Sequence, residues 1–91
     1  MGMPRCPVCG FKLAEPAWTE GVGGSFEICP CCGIQFGYTD AAGGDPARRL
    51  DVWREWRARW IADGLPWRGA NPAPEDFDPL DQLTYVAGNP A

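Results

Sequence analysis

The middle of the chain carries apolar residues at the spacing of one amphipathic helix. Asp45 can cap the free backbone amides of a helix, and Pro46 suits its first position. Gly64 is a natural stop, so the pattern predicts one helix within residues 45–64. We expect its apolar stripe to pack on the N-terminal part of the chain. The stripe consists of Leu50, Trp53, Trp60 and Ile61, with Trp56 at its edge.

The pattern before this helix favours short strands. Residues 11–18 and 25–28 look like two strands, and the glycine-rich segment between them allows the positive φ angles of a hairpin turn. Ile34, Phe36 and Tyr38 alternate with more polar neighbours, which is the period of a half-buried third strand. The N-terminal part is therefore expected to contain a β-hairpin or three short strands.

The pattern after the helix is irregular. From Leu65 onward the chain holds five of its ten prolines, and its apolar residues become separated anchors. We expect a tail that wraps over the rest of the molecule, with one short helical turn starting at Asp78-Pro79 and a frayed end after Val86. The expected anchors are Trp67, Phe77, Leu80, Leu83, Tyr85 and Val86.

Length and composition indicate one small domain over residues 1–91. A chain of this size buries a small share of its surface, and 12 Gly with 10 Pro indicate many turns, so stabilisation beyond the apolar core is expected. We divide the domain into an N-terminal cysteine-containing part, residues 5–39, the helix, residues 45–64, and the wrapped tail, residues 65–91.

A six-residue pattern with paired cysteines occurs twice, as RCPVCG at residues 5–10 and ICPCCG at residues 28–33. A Cys-x-x-Cys-Gly turn, here called a knuckle, points two thiolates at one ion, and its glycine tolerates the left-handed backbone that the turn needs. The two pairs are separated by 19 residues, inside the window of roughly 15 to 20 for four-cysteine zinc sites. The predicted metal ligands are Cys6, Cys9, Cys29 and Cys32.

Other uses of the cysteines are less well supported. Iron of the rubredoxin type stays an alternative to zinc, because four thiolates suit both metals. Disulfides need an oxidising compartment, and a thioredoxin-like pair needs a βαβ pattern that the sequence lacks. The fifth cysteine, Cys31, takes the place that Val8 has in the first copy, so we expect a small apolar residue that packs.

The overall charge and residue content exclude several classes of function. The net charge is −4, so the whole protein has no field that draws it to nucleic acid or to an anionic membrane. The absence of histidine removes Ser-His and Cys-His pairs and the commonest general base. The sequence shows neither an apolar signal segment nor a run of the roughly 18 apolar residues that span a membrane. We expect a soluble, cytoplasmic protein that is not an enzyme.

The predicted helix also carries five arginines beside its three tryptophans. Such residues can bind phosphates and stack on bases, which would suit an accessory factor of transcription or translation. Asp51, Glu55 and Asp63 dilute the positive charge, and arginine stems more simply cover the tryptophan stripe, so we favour a protein partner over nucleic acid. The candidate interaction surface consists of Arg48, Arg54, Arg57 and Trp56.

The two knuckles, the phrase GSFEICPCCG and the downstream WREWRARWIADG together resemble the bacterial cysteine-rich CPCC family of small proteins. The resemblance covers roughly residues 5–83 and is most specific at residues 24–33. It implies a zinc-ribbon-like module over residues 5–39 with the same four cysteines as ligands. The family offers no established enzymatic activity that could be carried over to this chain. Ile34 is a departure, since many members of the family have Trp at that position.

These observations predict a small, metal-stabilised α+β fold. We expect a zinc-ribbon or rubredoxin-like double knuckle with a hairpin or three short strands, then one long helix and an irregular Pro-rich C-terminal wrap. The favoured function is a non-enzymatic adaptor in which a structural zinc site supports binding to another protein. Nucleic-acid binding through the Arg/Trp-rich helix is the alternative, and a thiol-based redox switch through Cys31 is a second one.

Overall fold

The computed structural model describes residues 4–19 and 21–86 of the chain. Within them it shows a small α+β fold with one antiparallel hairpin, one long helix and one short helix near the C-terminus. The α+β class predicted from the sequence is therefore confirmed. The elements are strands β1 (Trp18–Thr19) and β2 (Gly23–Gly24), a 3-10 turn (Ala42–Gly44), and helices α1 (Pro46–Ala62) and α2 (Pro79–Leu83).

The hairpin forms where the glycine-rich segment predicted it, but its strands are much shorter than expected. Trp18 lies opposite Gly24 and Thr19 opposite Gly23, and this two-residue register is the whole of the sheet among the described residues. Phe26 has a φ angle of 64°, a left-handed conformation that interrupts an extended strand directly after β2. The first predicted strand, residues 11–18, is therefore wrong in length, and the strand predicted over residues 25–28 is wrong in position, because β2 lies inside the segment predicted as the turn.

The third predicted strand is only an irregular extended segment. The Phe36 N–H donates to the Glu27 carbonyl at 3.1 Å, so residues 26–28 and 34–36 lie side by side without forming a regular strand. Ile34 and Phe36 are fully buried as the alternation predicts, but Tyr38 is 75% exposed. The chain turns away at residue 37, a glycine with φ 88°, before the alternation reaches Tyr38.

Helix α1 begins and ends where the sequence predicted. The Asp45 side chain accepts a hydrogen bond from Ala47 N at 3.0 Å, Pro46 occupies the first turn, and Gly64 adopts a φ of 96° just beyond the end. The predicted apolar stripe is wrong at two positions, because Leu50 and Ile61 are 37% and 36% exposed. The inward face is instead Trp53, Trp56, Arg57 and Trp60, which are spaced i, i+3, i+4 and i+7.

The tail folds back over the N-terminal part. The Asp78 side chain accepts from Asp81 N at 3.1 Å, which confirms the helical turn predicted at Asp78-Pro79. Leu83 and Val86 are buried, and the ring of Trp67 meets the rings of Phe11 and Phe77 edge-on, each at a centroid distance of 5.3 Å. Two expected anchors are instead exposed, namely Leu80 and Tyr85. The frayed end predicted after Val86 lies outside the described residues.

Each of the five tryptophans satisfies its indole N–H with an acceptor in the fold. Two of these bonds converge on the fully buried carboxylate of Asp40, which accepts from Trp18 at 2.9 Å and from Trp53 at 2.7 Å. The same carboxylate accepts from Gly37 N at 2.6 Å. Asp40 thus ties the hairpin to helix α1 and holds the long helix beside the cysteines.

Candidate metal centre

The two knuckles have the same backbone structure. In the first, Gly10 N donates to the Cys6 carbonyl at 2.9 Å, and in the second, Gly33 N donates to the Cys29 carbonyl at 2.8 Å. The glycines have φ angles of 82° and 83°, which residues with a side chain adopt only with strain. The surrounding pairings also match: Cys6 N donates to Phe11 O and Cys29 N to Ile34 O, and isolated bridges join Arg5 to Lys12 and Ile28 to Gln35.

The hairpin and the inter-knuckle contacts bring four sulfurs together in the centre of the molecule. Cys6 Sγ lies 3.8 Å from Cys32 Sγ, and Cys9 Sγ lies 3.7 Å from Cys29 Sγ. All four sulfurs lie within 4.8 Å of one another, and all four residues are buried. A tetrahedron with metal–sulfur bonds of about 2.3 Å has edges of about 3.8 Å, so the cluster has the size of a tetrahedral metal site.

The same distances decide between a metal cluster and disulfides. A disulfide bond is about 2.05 Å long, far shorter than the sulfur separations here, and all five cysteines are free thiols in the structure. Each knuckle contributes one sulfur to each of the two close pairs. The arrangement therefore suits one ion shared by both knuckles.

Hydrogen bonds among the sulfurs separate their acidities. The pKa of Cys29 is lowered well below its usual range by hydrogen bonding, first with Cys32 and then with Cys6 and Cys9. The pKa values of Cys9 and Cys32 are raised, above all by hydrogen bonding with Cys29. The cluster thus already favours a thiolate at one position, and a bound metal cation would displace the remaining protons.

Cys31 lies next to this cluster and outside it. It is fully buried, and its sulfur accepts a hydrogen bond from Gln82 Nε2 at 3.4 Å. Its pKa is lowered chiefly by a hydrogen bond with Cys9, against the opposing effect of burial. The structure places Cys31 inside the second knuckle, in the position that the comparison with Val8 indicated, with its sulfur toward Gln82 of helix α2.

The first knuckle is held by a side chain that the sequence analysis assigned to a surface. Arg57 is only 2% exposed, so its predicted place in an interaction surface is wrong. Its Nε donates to the Val8 carbonyl at 2.7 Å and its Nη2 to the Pro7 carbonyl at 2.8 Å. Burial lowers the pKa of Arg57. The helical spacing could have indicated this burial, since position 57 lies between Trp53 and Trp60 on the inward face.

The second knuckle is held by a neutral donor from the same helix. Trp56 is half-buried, and its Nε1 donates to the Cys32 carbonyl at 2.9 Å. The guanidinium of Arg59 lies 5.0 Å from the centroid of the Trp56 ring. Of the four residues in the predicted interaction surface, Arg48 and Arg54 are therefore the two that are exposed, while Trp56 is half-buried and Arg57 is buried. The sequence placed Trp56 at the edge of the apolar stripe but did not predict its hydrogen bond to Cys32, because helical spacing does not show which group an indole N–H contacts.

Helix α2 supplies a third support. Gln82 is buried, and its Nε2 donates to the Cys9 carbonyl at 3.3 Å. A Cβ atom added to Gly10 would overlap the backbone carbonyl of Gln82, so the helix packs directly on the first knuckle. Nothing in the sequence pattern distinguished Gln82 from the other polar residues of the tail.

Among residues 4–19 and 21–86, no helix has both the length and the apolar content needed to cross a membrane.

Two proteins of Bacillus subtilis (strain 168) are similar to this chain. The uncharacterized protein YoaQ is 40% identical over an alignment that spans 79% of this chain and 69% of YoaQ. The uncharacterized protein YozI is 29% identical over 91% of this chain and 79% of YozI. No protein-family model and no solved structure matches the chain. The resemblances to CPCC proteins and to zinc ribbons therefore stay predictions.

Proposed function

The chain belongs to the family of the uncharacterized protein YoaQ of Bacillus subtilis, and from this premise we propose that it is a small, non-enzymatic zinc-binding protein. One observation carries the proposal. The four cysteine sulfurs are buried within 4.8 Å of one another, at the size of a tetrahedral site. The proposed ligands of a single Zn²⁺ ion are Cys6, Cys9, Cys29 and Cys32.

The proposed role of the metal is structural. Four protein ligands complete a tetrahedral shell and leave no position for water or substrate, unlike catalytic zinc sites, which keep one open. Iron would fit the same four thiolates, so the identity of the metal is a separate measurement. Thiolate ligands persist in reducing compartments, which supports the cytoplasm as the proposed location.

Native mass spectrometry with elemental analysis of the purified protein tests this proposal. We expect one metal ion per chain in the wild-type protein and none in Cys9→Ser. The matched control is Cys31→Ser, which changes a buried thiol outside the four-sulfur cluster and should retain the ion. A folded, metal-free wild-type protein would contradict the proposal.

We further propose that the folded module acts by binding another protein. The outward face of α1 presents the exposed Arg48 and Arg54 together with Leu50 and Ile61, and the described residues form no ion pair with either arginine. Nucleic-acid binding is less well supported than the sequence indicated, because the burial of Arg57 removes one cation from that face.

Charge reversal tests the role of this face. Arg48→Glu with Arg54→Glu should abolish recovery of partners that the wild-type protein captures from cell extract, whereas Lys12→Glu, the same reversal at an exposed position outside α1, should not. Equal recovery by all three proteins would count against this face. Binding of DNA or RNA at low salt would favour the nucleic-acid function instead.

A further inference from the structure

Arg57 is the single buried cation among the described residues. It is 2% exposed, and the other buried polar or charged side chains there are Asp40 and Gln82. The ion pair found in the described part of the chain joins Arg68 to Asp63, so no carboxylate lies at ion-pair distance from the Arg57 guanidinium. A buried charge without a partner is costly, so a nearby negative charge is expected to compensate it.

The surroundings of the guanidinium point to the cysteine cluster as that charge. Its two hydrogen bonds end on the carbonyls of Pro7 and Val8, the two residues between Cys6 and Cys9. These two carbonyls place the guanidinium against the turn that carries two of the four proposed ligands. The thiolates of a filled site can therefore supply the negative charge.

The charge of a filled site matches this need. Four thiolates around one divalent cation carry two net negative charges, and a site closed to water cannot disperse them into solvent. We propose that Arg57 is the counter-charge and positioning residue of the metal centre, neutralising part of the tetrathiolate charge while its two hydrogen bonds hold the first knuckle in the metal-binding conformation. This inference rests on the proposed metal-binding function.

Arginine suits this position better than lysine or a neutral donor. The planar guanidinium reaches two adjacent carbonyls at once through Nε and Nη2, at 2.7 and 2.8 Å, and keeps its charge when buried. From outside the second knuckle, the donors that the described residues offer to its carbonyls are neutral: the indole N–H of Trp56 on Cys32 and the backbone N–H of Arg68 on Cys31. The two roles, charge and hydrogen bonding, are thus combined in Arg57 alone and can be separated by substitution.

Competition with a chelator for Zn²⁺ provides the first test, using full-length variants. Arg57→Gln should bind Zn²⁺ about 10 to 100-fold more weakly than the wild-type protein, the range typical of residues that support metal ligands. Arg57→Lys keeps the charge but loses the planar guanidinium that bonds both carbonyls. Its affinity for Zn²⁺ should therefore lie between those of the wild-type protein and Arg57→Gln. Lys12→Gln removes an exposed cation outside α1 and should leave the affinity unchanged.

The reduction potential of the iron-loaded protein separates the effect of the Arg57 charge from the effect of its hydrogen bonds to the backbone. A buried positive charge favours the reduced, more negative form of an iron tetrathiolate. The potential should therefore fall in Arg57→Gln and stay near the wild-type value in Arg57→Lys. If the reduction potential falls equally in both variants, or changes in neither, Arg57 is not the counter-charge.

The outcomes test metal binding and the role of Arg57 separately. A wild-type protein that binds no metal overturns the proposed function and this inference with it. A wild-type protein that binds one ion, with Arg57→Gln binding equally tightly, overturns only the inference. If Arg57→Gln does not fold, the iron-loaded Arg57→Lys decides: a reduction potential well below the wild-type value would show that the charge at position 57 does not act on the metal site.

Discussion

The two knuckles have nearly identical backbones and entirely different supports. Each closes with a glycine N–H bonded to the carbonyl of its first cysteine, and the two glycine φ angles differ by one degree, 82° against 83°. Around the first knuckle lie a buried guanidinium and the backbone of α2. Around the second lie the indole of Trp56 and the exposed side chain of Arg68.

This difference separates the requirements of the metal from those of the fold. A metal needs two thiolates per knuckle at fixed geometry, which the repeated local sequence provides twice. The position of each knuckle in the protein depends on partners far away in the chain, and those partners are not repeated. Substitutions at matched positions can therefore measure how much each set of supports contributes.

Loss of a ligand should be the largest effect and should be equal for both knuckles. Cys9→Ser and Cys29→Ser each remove one of four sulfurs that lie within 4.8 Å of one another. Structural zinc supplies on the order of 10 kcal/mol, comparable to the stability of a whole domain, so both variants should unfold at least in their N-terminal part. Circular dichroism with metal analysis checks this. A folded Cys29→Ser beside an unfolded Cys9→Ser would show that the knuckles are unequal as ligand sources.

Alanine at the two knuckle glycines should give unequal losses. Both positions have positive φ, so each change should cost about 1 to 2 kcal/mol of backbone strain. A Cβ at Gly10 would also overlap the Gln82 carbonyl, adding about 1 to 3 kcal/mol, whereas at Gly33 it would meet only the flexible Arg68 Cδ at 3.2 Å. Urea unfolding of the zinc-loaded proteins measures the difference. Equal losses would mean that α2 does not pack on the first knuckle as described.

Removal of the neutral donors should have smaller effects of similar size. Trp56→Phe leaves the Cys32 carbonyl without its indole donor, and Gln82→Met leaves the Cys9 carbonyl without its amide donor. Each should cost about 1 to 3 kcal/mol, with Trp56→Phe the larger because its bond is 2.9 Å long against 3.3 Å. Thermal unfolding followed by circular dichroism compares them. The reverse order would assign the stronger support to α2.

Exchange of the fifth cysteine for its counterpart should have the smallest effect. Cys31→Val gives the second knuckle the residue that the first has at Val8, and it removes the weak sulfur hydrogen bonds with Gln82 and Cys9. The metal content should stay at one ion per chain, and the stability should change by less than about 1.5 kcal/mol. Metal analysis and urea unfolding measure both. Loss of the ion would place Cys31 among the ligands and contradict the ligand set.

Local sequence signals predicted the ends of the helices better than the strands. The bounds of α1 and the turn at Asp78-Pro79 were predictable, because Asp, Pro and Gly act on backbone groups within a few positions of themselves. The first strand was predicted too long, and the second was predicted after the position of β2. Alternation showed that Ile34 and Phe36 are buried, but it did not show that positive φ angles would interrupt the ladder at Phe26 and Gly37.

The sequence by itself determined the knuckles, since the hydrogen bond that closes each one joins residues four positions apart, and the spacing of four cysteines identified the set that the fold brings together. Only the tertiary structure decided what surrounds them. Arg57 reaches Val8 across 49 positions and Gln82 reaches Cys9 across 73. Such contacts depend on how helices pack over the knuckles, and a charged residue on a helix shows its inward role only when the opposing carbonyls are in place.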